Sequence, residues 1–180
     1  MEKVKVKPGN SPLVLGLPHV GTSLTKQVND SLNDRGRILS DTDWHIDRLY
    51  DSLLGDVTTV SATFHRYVID LNRDPSGQSL YPGQNTTELV PLTDFDGNKI
   101  WNSEPSTQEI KSRIPEFHTA YHKALELELE RVKNIHGFVL LYDCHSIRSV
   151  IPNLFEGVLP DFNIGTNKGT SCDPLIEKIV

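Results

Sequence analysis

Short apolar runs that stop abruptly at polar residues are the dominant pattern of this chain. The run from Phe138 to Tyr142 ends at Asp143 and His145, and the run from Pro12 to Pro18 is followed at once by His19. Apolar runs of this length, rich in strand-forming residues, predict strands that are buried on both faces. Functional groups of open α/β sheets lie beyond the carboxyl ends of such strands, so both histidines are candidate site residues.

Two further segments complete the predicted strands of an α/β fold. Val57 to Ala62 and Arg66 to Leu71 are both rich in residues that favour strands. Asn72 and Arg73 follow the second segment and would bring hydrogen-bond donors to the same edge of the sheet. With 180 residues, 37% of them hydrophobic, the chain is long enough for one globular domain, which we expect to span residues 1–180.

Segments with helical periodicity lie between these predicted strands. A helix is expected from Thr25 to Leu32, and apolar residues three and four apart predict another that begins near Asp41 to Asp47 and continues to Leu54. Pro105 to Val132 predicts a longer helix. Its apolar face comprises Ile114, Phe117, Tyr121, Leu125, Leu129 and Val132. From Asp74 to Glu104 the chain is poorly periodic, which is typical of a functional loop.

The long helix also carries His118 and His122, four residues apart. Two imidazoles at that spacing can bind one metal ion, but the familiar zinc helix has glutamate directly after the first histidine, where this chain has Thr119. Partly buried helix histidines are therefore the favoured interpretation, with metal ligands as the alternative.

Charge and composition narrow the classes of partner. A net charge of -6 and a pI near 5.6 argue against a nucleic-acid or anionic-membrane surface. No apolar run approaches membrane-spanning length. Two cysteines indicate a reducing compartment, so we expect a cytoplasmic protein. Asp173 and Pro174 begin a helix close to Val180, which suggests that the sequence is a fragment lacking its C-terminal part.

The residue types at the strand ends favour a catalytic metal centre. Two imidazoles and a carboxylate with an open fourth position suit one zinc ion, and His19, Asp43 and His145 are the natural set. His45 is a rival to Asp43, Asp143 is a candidate to orient a histidine, and acidic residues at a helix start also occur simply as caps. The arginines Arg66, Arg73 and Arg148 are candidates to grip a substrate carboxylate.

Five segments together resemble the N-formylglutamate amidohydrolases, also called deformylases. The resemblance extends in order through nearly the whole chain and includes Asn163 to Thr166. The segments are Pro18-His19-Val20-Gly21, Asp41 to Ile46 with Leu49-Tyr50, Arg66 to Arg73, Leu80-Tyr81, and Asp143 to Ser149.

The resemblance implies a three-layer mixed sheet flanked by helices, similar to zinc carboxypeptidases. It also implies zinc-dependent hydrolysis of N-formyl-L-glutamate to formate and L-glutamate, a step of histidine degradation. The chain is also distantly similar to aspartoacylase, and by that analogy Asn72 and Arg73 bind the substrate. Arg148 is then the best candidate for the glutamate side-chain carboxylate, and Arg66 is a further substrate-binding candidate. The carboxypeptidase glutamate three residues after the first histidine is absent, since Thr22 stands there, and this departure favours Asp43.

The general base of the family is expected beyond Val180, so full catalytic competence is not expected from these residues alone. Two alternatives stay open. One is an amidohydrolase of the same family that acts on another N-acyl amino acid or a cell-wall peptide. The other is a non-catalytic binding module.

Overall fold

Four short strands form one mixed sheet at the centre of the fold. The computed structural model describes residues 2–51, 54–76 and 87–179. Its strands are β1 (Val4–Lys7), β2 (Leu13–Leu17), β3 (Thr58–Ala62) and β4 (Leu140–Asp143), in the spatial order β1-β3-β2-β4. β3 pairs antiparallel with β1 and parallel with β2, which pairs parallel with β4. The predicted strands at 12–18, 57–62 and 138–142 are thereby confirmed. The expectation that the last of them is buried on both faces is wrong: β4 is the edge strand of the described sheet, and Leu141 is exposed.

The helices begin and end at recognisable capping residues. They are α1 (Lys26–Ser31), α2 (Asp34–Arg37), α3 (Ile46–Asp51), α4 (Thr107–Arg113), α5 (Thr119–His136) and α6 (Pro174–Glu177). A π-helical turn, Ile114–His118, joins α4 to α5. Thr25 caps α1 and Ser106 caps α4, because their side-chain oxygens accept backbone N–H groups of the first turn. Gly137, at φ 78°, ends α5 in the left-handed conformation that glycine adopts without strain.

The sheet is covered on both faces, as expected for an α/β fold. On one face, Val14 and Val60 belong to the same buried cluster as Phe117, Tyr121 and Leu125 of the long helix. On the other face, a second cluster joins Leu15, Leu17 and Val57 to Ile46 of α3 and to Cys144. Alternate residues of β2 therefore belong to different clusters, which is the period-two pattern of a strand buried on both sides.

The segment Arg66 to Leu71 is not a strand, contrary to the sequence prediction. Its apolar residues are fully buried, but the N–H of Val68 donates to the carbonyl of His65 in a turn, at 2.9 Å. The carbonyl of Val68 accepts a hydrogen bond from the Arg113 side chain at 3.1 Å. The apolar run correctly indicated burial. Side-chain donors from the helical layer satisfy carbonyl groups of the segment, and the N–H of Asp70 donates to the carbonyl of Leu89 at 2.7 Å.

Two elements were not predicted. β1 alternates valine and lysine and is mostly exposed at the sheet edge, so its apolar signal is weak. α2 is a single turn capped by Asn33, and its polar sequence has no apolar periodicity that would predict a helix. The predicted helix residue Leu53 and the family segment Leu80-Tyr81 lie outside the described residues. Among the described helices, none combines the length and apolar character needed to span a membrane.

Gly21 lies where the chain after β2 runs beside residues 63–65. The N–H of Ser23 donates to the carbonyl of Thr63, and the N–H of His65 donates to the carbonyl of Ser23, both at 3.0 Å. A Cβ atom at Gly21 would collide with the backbone of Thr63 and Phe64. Because backbone atoms cannot move aside cheaply, this approach requires glycine.

We therefore expect Gly21→Ala to lower the free energy of unfolding by about 1–3 kcal/mol or more, through overpacking. Chemical denaturation measures this change. Gly55→Ala is the matched control, because a Cβ atom there meets nothing within 4 Å. Equal unfolding free energies for the two variants would contradict the close approach at Gly21.

Candidate metal centre

Adjacent parallel strands bring His19 and His145 together. His19 follows β2, and His145 follows β4, the neighbouring strand in the sheet. The N–H of Cys144 donates to the carbonyl of Gly16 at 2.8 Å, which extends the ladder beyond the end of β4. The imidazoles lie 126 residues apart in sequence, yet their Nδ1 atoms are 3.2 Å apart. The two histidines that were predicted at strand ends therefore lie side by side.

Asp43 completes a group of three side chains. The N–H of Asp43 donates to the carbonyl of His19 at 3.0 Å, which ties the loop before α3 to the end of β2. Asp43 Oδ2 lies 3.2 Å from His145 Nδ1 and 3.8 Å from His19 Nδ1. Within the described part of the chain, these three residues form a group that could hold a metal ion, with all ligand atoms within 4.8 Å of one another.

The outer nitrogen of each imidazole pairs with another carboxylate. His19 Nε2 lies 2.8 Å from Asp70 Oδ1, and His145 Nε2 lies 3.0 Å from Asp143 Oδ2. Such a carboxylate favours the proton on Nε2 and leaves the Nδ1 lone pair facing the shared centre. The sequence proposed the orienting role for Asp143. The sequence did not predict that role for Asp70.

The spacing of the three ligand atoms fits a small tetrahedral cation. Nitrogen and oxygen ligands at roughly 2.0–2.1 Å from a tetrahedral zinc ion lie about 3.3 Å from one another. The separations among His19, Asp43 and His145 are 3.2, 3.2 and 3.8 Å. Two imidazole lone pairs facing each other at such a distance repel unless a proton or a cation lies between them. The donor set and its geometry therefore suit zinc.

Buried charges of both signs surround the group. His19 and Asp43 are 2% and 1% exposed, and Arg66 Nη2 lies 3.5 Å from Asp43 Oδ1. Burial opposes ionisation of Asp43, but hydrogen bonds with His145 and His19 and the charge of Arg66 outweigh it and hold its pKa well below the usual range. Burial likewise disfavours a charged His145, yet Asp143 and Asp43 raise its pKa to about 9. The two carboxylates therefore stabilise a proton on His145, and a cation bound to Nδ1 would take the place of that proton.

His65 is a buried neighbour of the site that the sequence did not single out. Its Nδ1 accepts the N–H of Tyr67 at 3.1 Å, and its ring packs edge-on against Tyr67. Burial, with a contribution from the charge of Arg66, lowers the pKa of His65 to about 3 and keeps the ring neutral. The one signal in the sequence that points to His65 is its position directly before the segment Arg66 to Arg73, which resembles the family.

His45, the predicted rival of Asp43, does not join the group. Its side chain is exposed and its backbone has φ 65°, in the left-handed region. The structure therefore brings Asp43, rather than His45, to the two imidazoles. His118 and His122 lie elsewhere, with each Nε2 atom against a backbone carbonyl oxygen. His118 is buried and His122 is exposed, so the expectation of two partly buried rings holds for neither.

The predicted substrate-binding residues differ in their surroundings. Arg66 lies behind Asp43, with its guanidinium over the Phe95 ring at 5.1 Å. The side chain of Arg73 donates to the carbonyl and hydroxyl oxygens of Thr87, each at 2.8 Å. Arg148 forms an ion pair with Asp96 at 2.6 Å. Arg73 and Arg148 are thus engaged with partners outside the group His19, Asp43 and His145.

Asn72 and Arg73 lie in a cleft next to the helical layer. The backbone N–H of Asn72 donates to Asp70 Oδ1 at 2.8 Å, so the segment is tied to the carboxylate that pairs with His19. The cleft has a volume of about 290 Å³ and is lined by Leu71, Asn72, Arg73, Asp74, Pro75, His118 and His122. One carboxylate therefore links the candidate metal centre to this cleft.

Fold and site together define an α/β protein with a candidate metal centre of two histidines and an aspartate at the carboxyl ends of parallel strands. A sequence profile of the N-formylglutamate amidohydrolases matches residues 11–180. The chain belongs to this family, which confirms the resemblance stated from its motifs.

Two curated relatives are both N-formylglutamate deformylases. The one from Pseudomonas aeruginosa is 46% identical over 179 residues, which cover 97% of this chain and 66% of the relative. The one from Pseudomonas putida is 45% identical over 172 residues, covering 93% and 64%. The chain thus spans about two thirds of the length of these relatives.

Solved structures agree with the fold. The crystal structure of the N-formylglutamate amidohydrolase from Ralstonia eutropha JMP134 matches with a TM-score of 0.78 and 25% identity, over 99% of this chain and 71% of that one. A protein from Agrobacterium tumefaciens matches with a TM-score of 0.65 and 19% identity, over 87% of this chain and 61% of that one, and supports the fold alone.

The choice between Asp43 and His45 can be tested by substitution. We expect Asp43→Ala to weaken zinc affinity by more than about 100-fold, because it removes a ligand rather than an outer partner. His45→Gly should leave affinity unchanged, since glycine adopts the left-handed backbone of that position. Competition titration with a chromophoric chelator measures both. Zinc loss in His45→Gly with retention in Asp43→Ala would reverse the assignment.

The orienting role of Asp70 can also be tested by substitution, because Asp70 would affect metal binding only through His19. Asp70→Asn is isosteric but removes the charge that holds the imidazole, and we expect zinc affinity to fall by about 10–100-fold. Asp34→Asn, an exposed carboxylate in α2, serves as the control. Unchanged zinc affinity in folded Asp70→Asn protein would show that this carboxylate does not orient the ligand.

Proposed function

We propose that the chain contributes the metal-binding and substrate-binding residues of a deformylase that hydrolyses N-formyl-L-glutamate to formate and L-glutamate. The observation that carries the proposal is the convergence of His19 Nδ1, His145 Nδ1 and one oxygen of Asp43, with both outer imidazole nitrogens held by carboxylates. The names of the two Pseudomonas relatives support the choice of substrate.

His19, Asp43 and His145 would hold one zinc ion. When bound, zinc polarises a carbonyl group and lowers the pKa of a coordinated water, which suits amide hydrolysis near neutral pH. Neighbouring residues of the chain would prepare the three ligands to bind the ion. Asp70 and Asp143 keep the two imidazoles in the tautomer that can ligate, and Arg66 keeps Asp43 ionised.

The remaining predicted residues would bind the substrate. N-formyl-L-glutamate carries two carboxylates, and guanidinium groups bind carboxylates through paired hydrogen bonds. We propose that Arg148 takes the side-chain carboxylate, exchanging Asp96 for the substrate, and that Asn72 and Arg73 contact the rest of the molecule. Arg66, which lies beside Asp43, would contribute positive charge from behind the ligand group.

We also propose the pathway and the compartment of the reaction. Formation of glutamate from its formyl derivative would serve histidine degradation in the cytoplasm. Two free cysteines, Cys144 and Cys172, support a reducing compartment.

Zinc analysis with a ligand variant tests the metal site. We expect the purified chain to bind one zinc ion, and His145→Ala to lose it because two protein ligands hold zinc poorly. His136→Ala, an exposed histidine at the end of α5, is the matched control. Elemental analysis after dialysis without chelator measures the ratio. Stoichiometric zinc in His145→Ala would remove the site as described.

Calorimetric titration of the zinc-loaded chain with N-formyl-L-glutamate, followed by an assay for released glutamate, tests the substrate. Binding that depends on zinc and falls sharply in Arg148→Gln supports the proposal. N-acetyl-L-glutamate and a cell-wall peptide serve as competing ligands, and preference for either would favour another amidohydrolase activity. Released glutamate would support the deformylase, and zinc-dependent binding without turnover would favour the non-catalytic binding module.

A further inference from the structure

The side chains of His118 and His122 form hydrogen bonds with the backbone of one short segment. His118 Nε2 lies 3.0 Å from the carbonyl oxygen of Arg73, and His122 Nε2 lies 2.9 Å from the carbonyl oxygen of Leu71. The two rings are neighbours, with centroids 4.4 Å apart. Since carbonyl oxygens only accept, both imidazoles donate an Nε2–H. The two bonds therefore flank Asn72 on either side.

The segment needs such donors because it has no strand partner. Residues 66–73 are in turns and irregular structure, and buried carbonyl groups that lack partners cost free energy. Arg113 donates to the carbonyl of Val68 from the same helical layer, at 3.1 Å. Arg113, His118 and His122 form a row of side-chain donors that replaces a β-ladder along this segment.

The helical layer contains a π-helical turn where Arg113, His118 and His122 face the segment. The N–H of Thr119 donates to the carbonyl of Ile114, the i to i+5 bond of a π-helical turn. Such turns are frequent at functional sites, because they shift the register of the side chains that follow. His118 ends the turn and is only 7% exposed, so its ring has little freedom to leave the carbonyl.

We propose that His118 and His122 are positioning residues that hold the backbone of Leu71 to Arg73, and so direct Asn72 and Arg73 toward the substrate. This inference rests on the proposed function, in which Asn72 and Arg73 bind N-formyl-L-glutamate. It also accounts for the helical histidine pair without a second metal ion. In this role both Nε2–H groups donate to backbone carbonyl oxygens.

The test compares variants that keep the donor with variants that remove it. His118→Gln and His122→Gln retain an N–H group that can reach the carbonyl, whereas His118→Leu and His122→Leu do not. His136→Leu is the control, because His136 Nε2 also contacts a carbonyl oxygen, that of Asn10, on an exposed part of the same helix. Zinc-loaded protein is titrated with N-formyl-L-glutamate, and amide hydrogen exchange is measured at Asp70 and Asn72.

We expect each leucine variant to weaken substrate binding by about tenfold or more, since the positions of both contact residues are disturbed. Exchange at Asn72 should become faster, zinc stoichiometry should stay at one, and the glutamine variants should restore both binding and slow exchange. The His136→Leu control should match the unsubstituted chain. Rescue by glutamine distinguishes a hydrogen-bonding role from simple packing.

Three results would overturn the inference: leucine variants that bind substrate normally while Arg73→Ala does not, unchanged exchange at Asn72, or a second bound zinc ion lost on substitution of either histidine. If Arg73→Ala binds substrate normally, the proposed function of that residue fails instead. Hydrogen exchange then still decides whether the two histidines hold the segment.

Discussion

The structure depends on balancing the charge that is buried beyond the carboxyl ends of the parallel strands. Asp43 and Asp70 are almost fully buried, and an isolated buried carboxylate would cost several kcal/mol. Arg66 contributes the compensating charge, at 3.5 Å from one carboxylate and 3.9 Å from the other, and His19 forms hydrogen bonds with Asp70. The positions of β2, the loop before α3 and the segment after β3 are therefore coupled, because each carries one member of this network.

The segment from Arg66 to Arg73 connects that network to the rest of the fold. It supplies Arg66 and Asp70 to the charge network and Asn72 and Arg73 to the cleft, and it lies against the helical layer along its length. Regular strand pairing would give alternate residues to opposite faces of a sheet. An irregular path bonded by side chains instead lets successive residues face different partners. This arrangement explains how so many polar groups of one segment take part in the site.

Much of the fold and the central part of the site could be predicted from sequence, for physical reasons that also explain the failures. β2, β4 and the apolar face of α5 are strongly patterned, so His19 and His145 were found as strand ends. Arg66 to Leu71 was misassigned because burial alone does not determine which groups bond to the backbone. The pairing of Asp70 with His19, and of Arg148 with Asp96, depends on contacts between residues distant in sequence, which no local pattern records.

The parallel pairing of β2 with β4 has a consequence for how the site forms. Its two imidazoles are separated by 126 residues, so closing that span costs chain entropy before any contact between them is gained. A site assembled from such distant parts exists only in the folded chain and is absent from the denatured ensemble. Any cation bound there would stabilise the native state in proportion to the logarithm of its concentration. Thermal stability would then depend on metal supply.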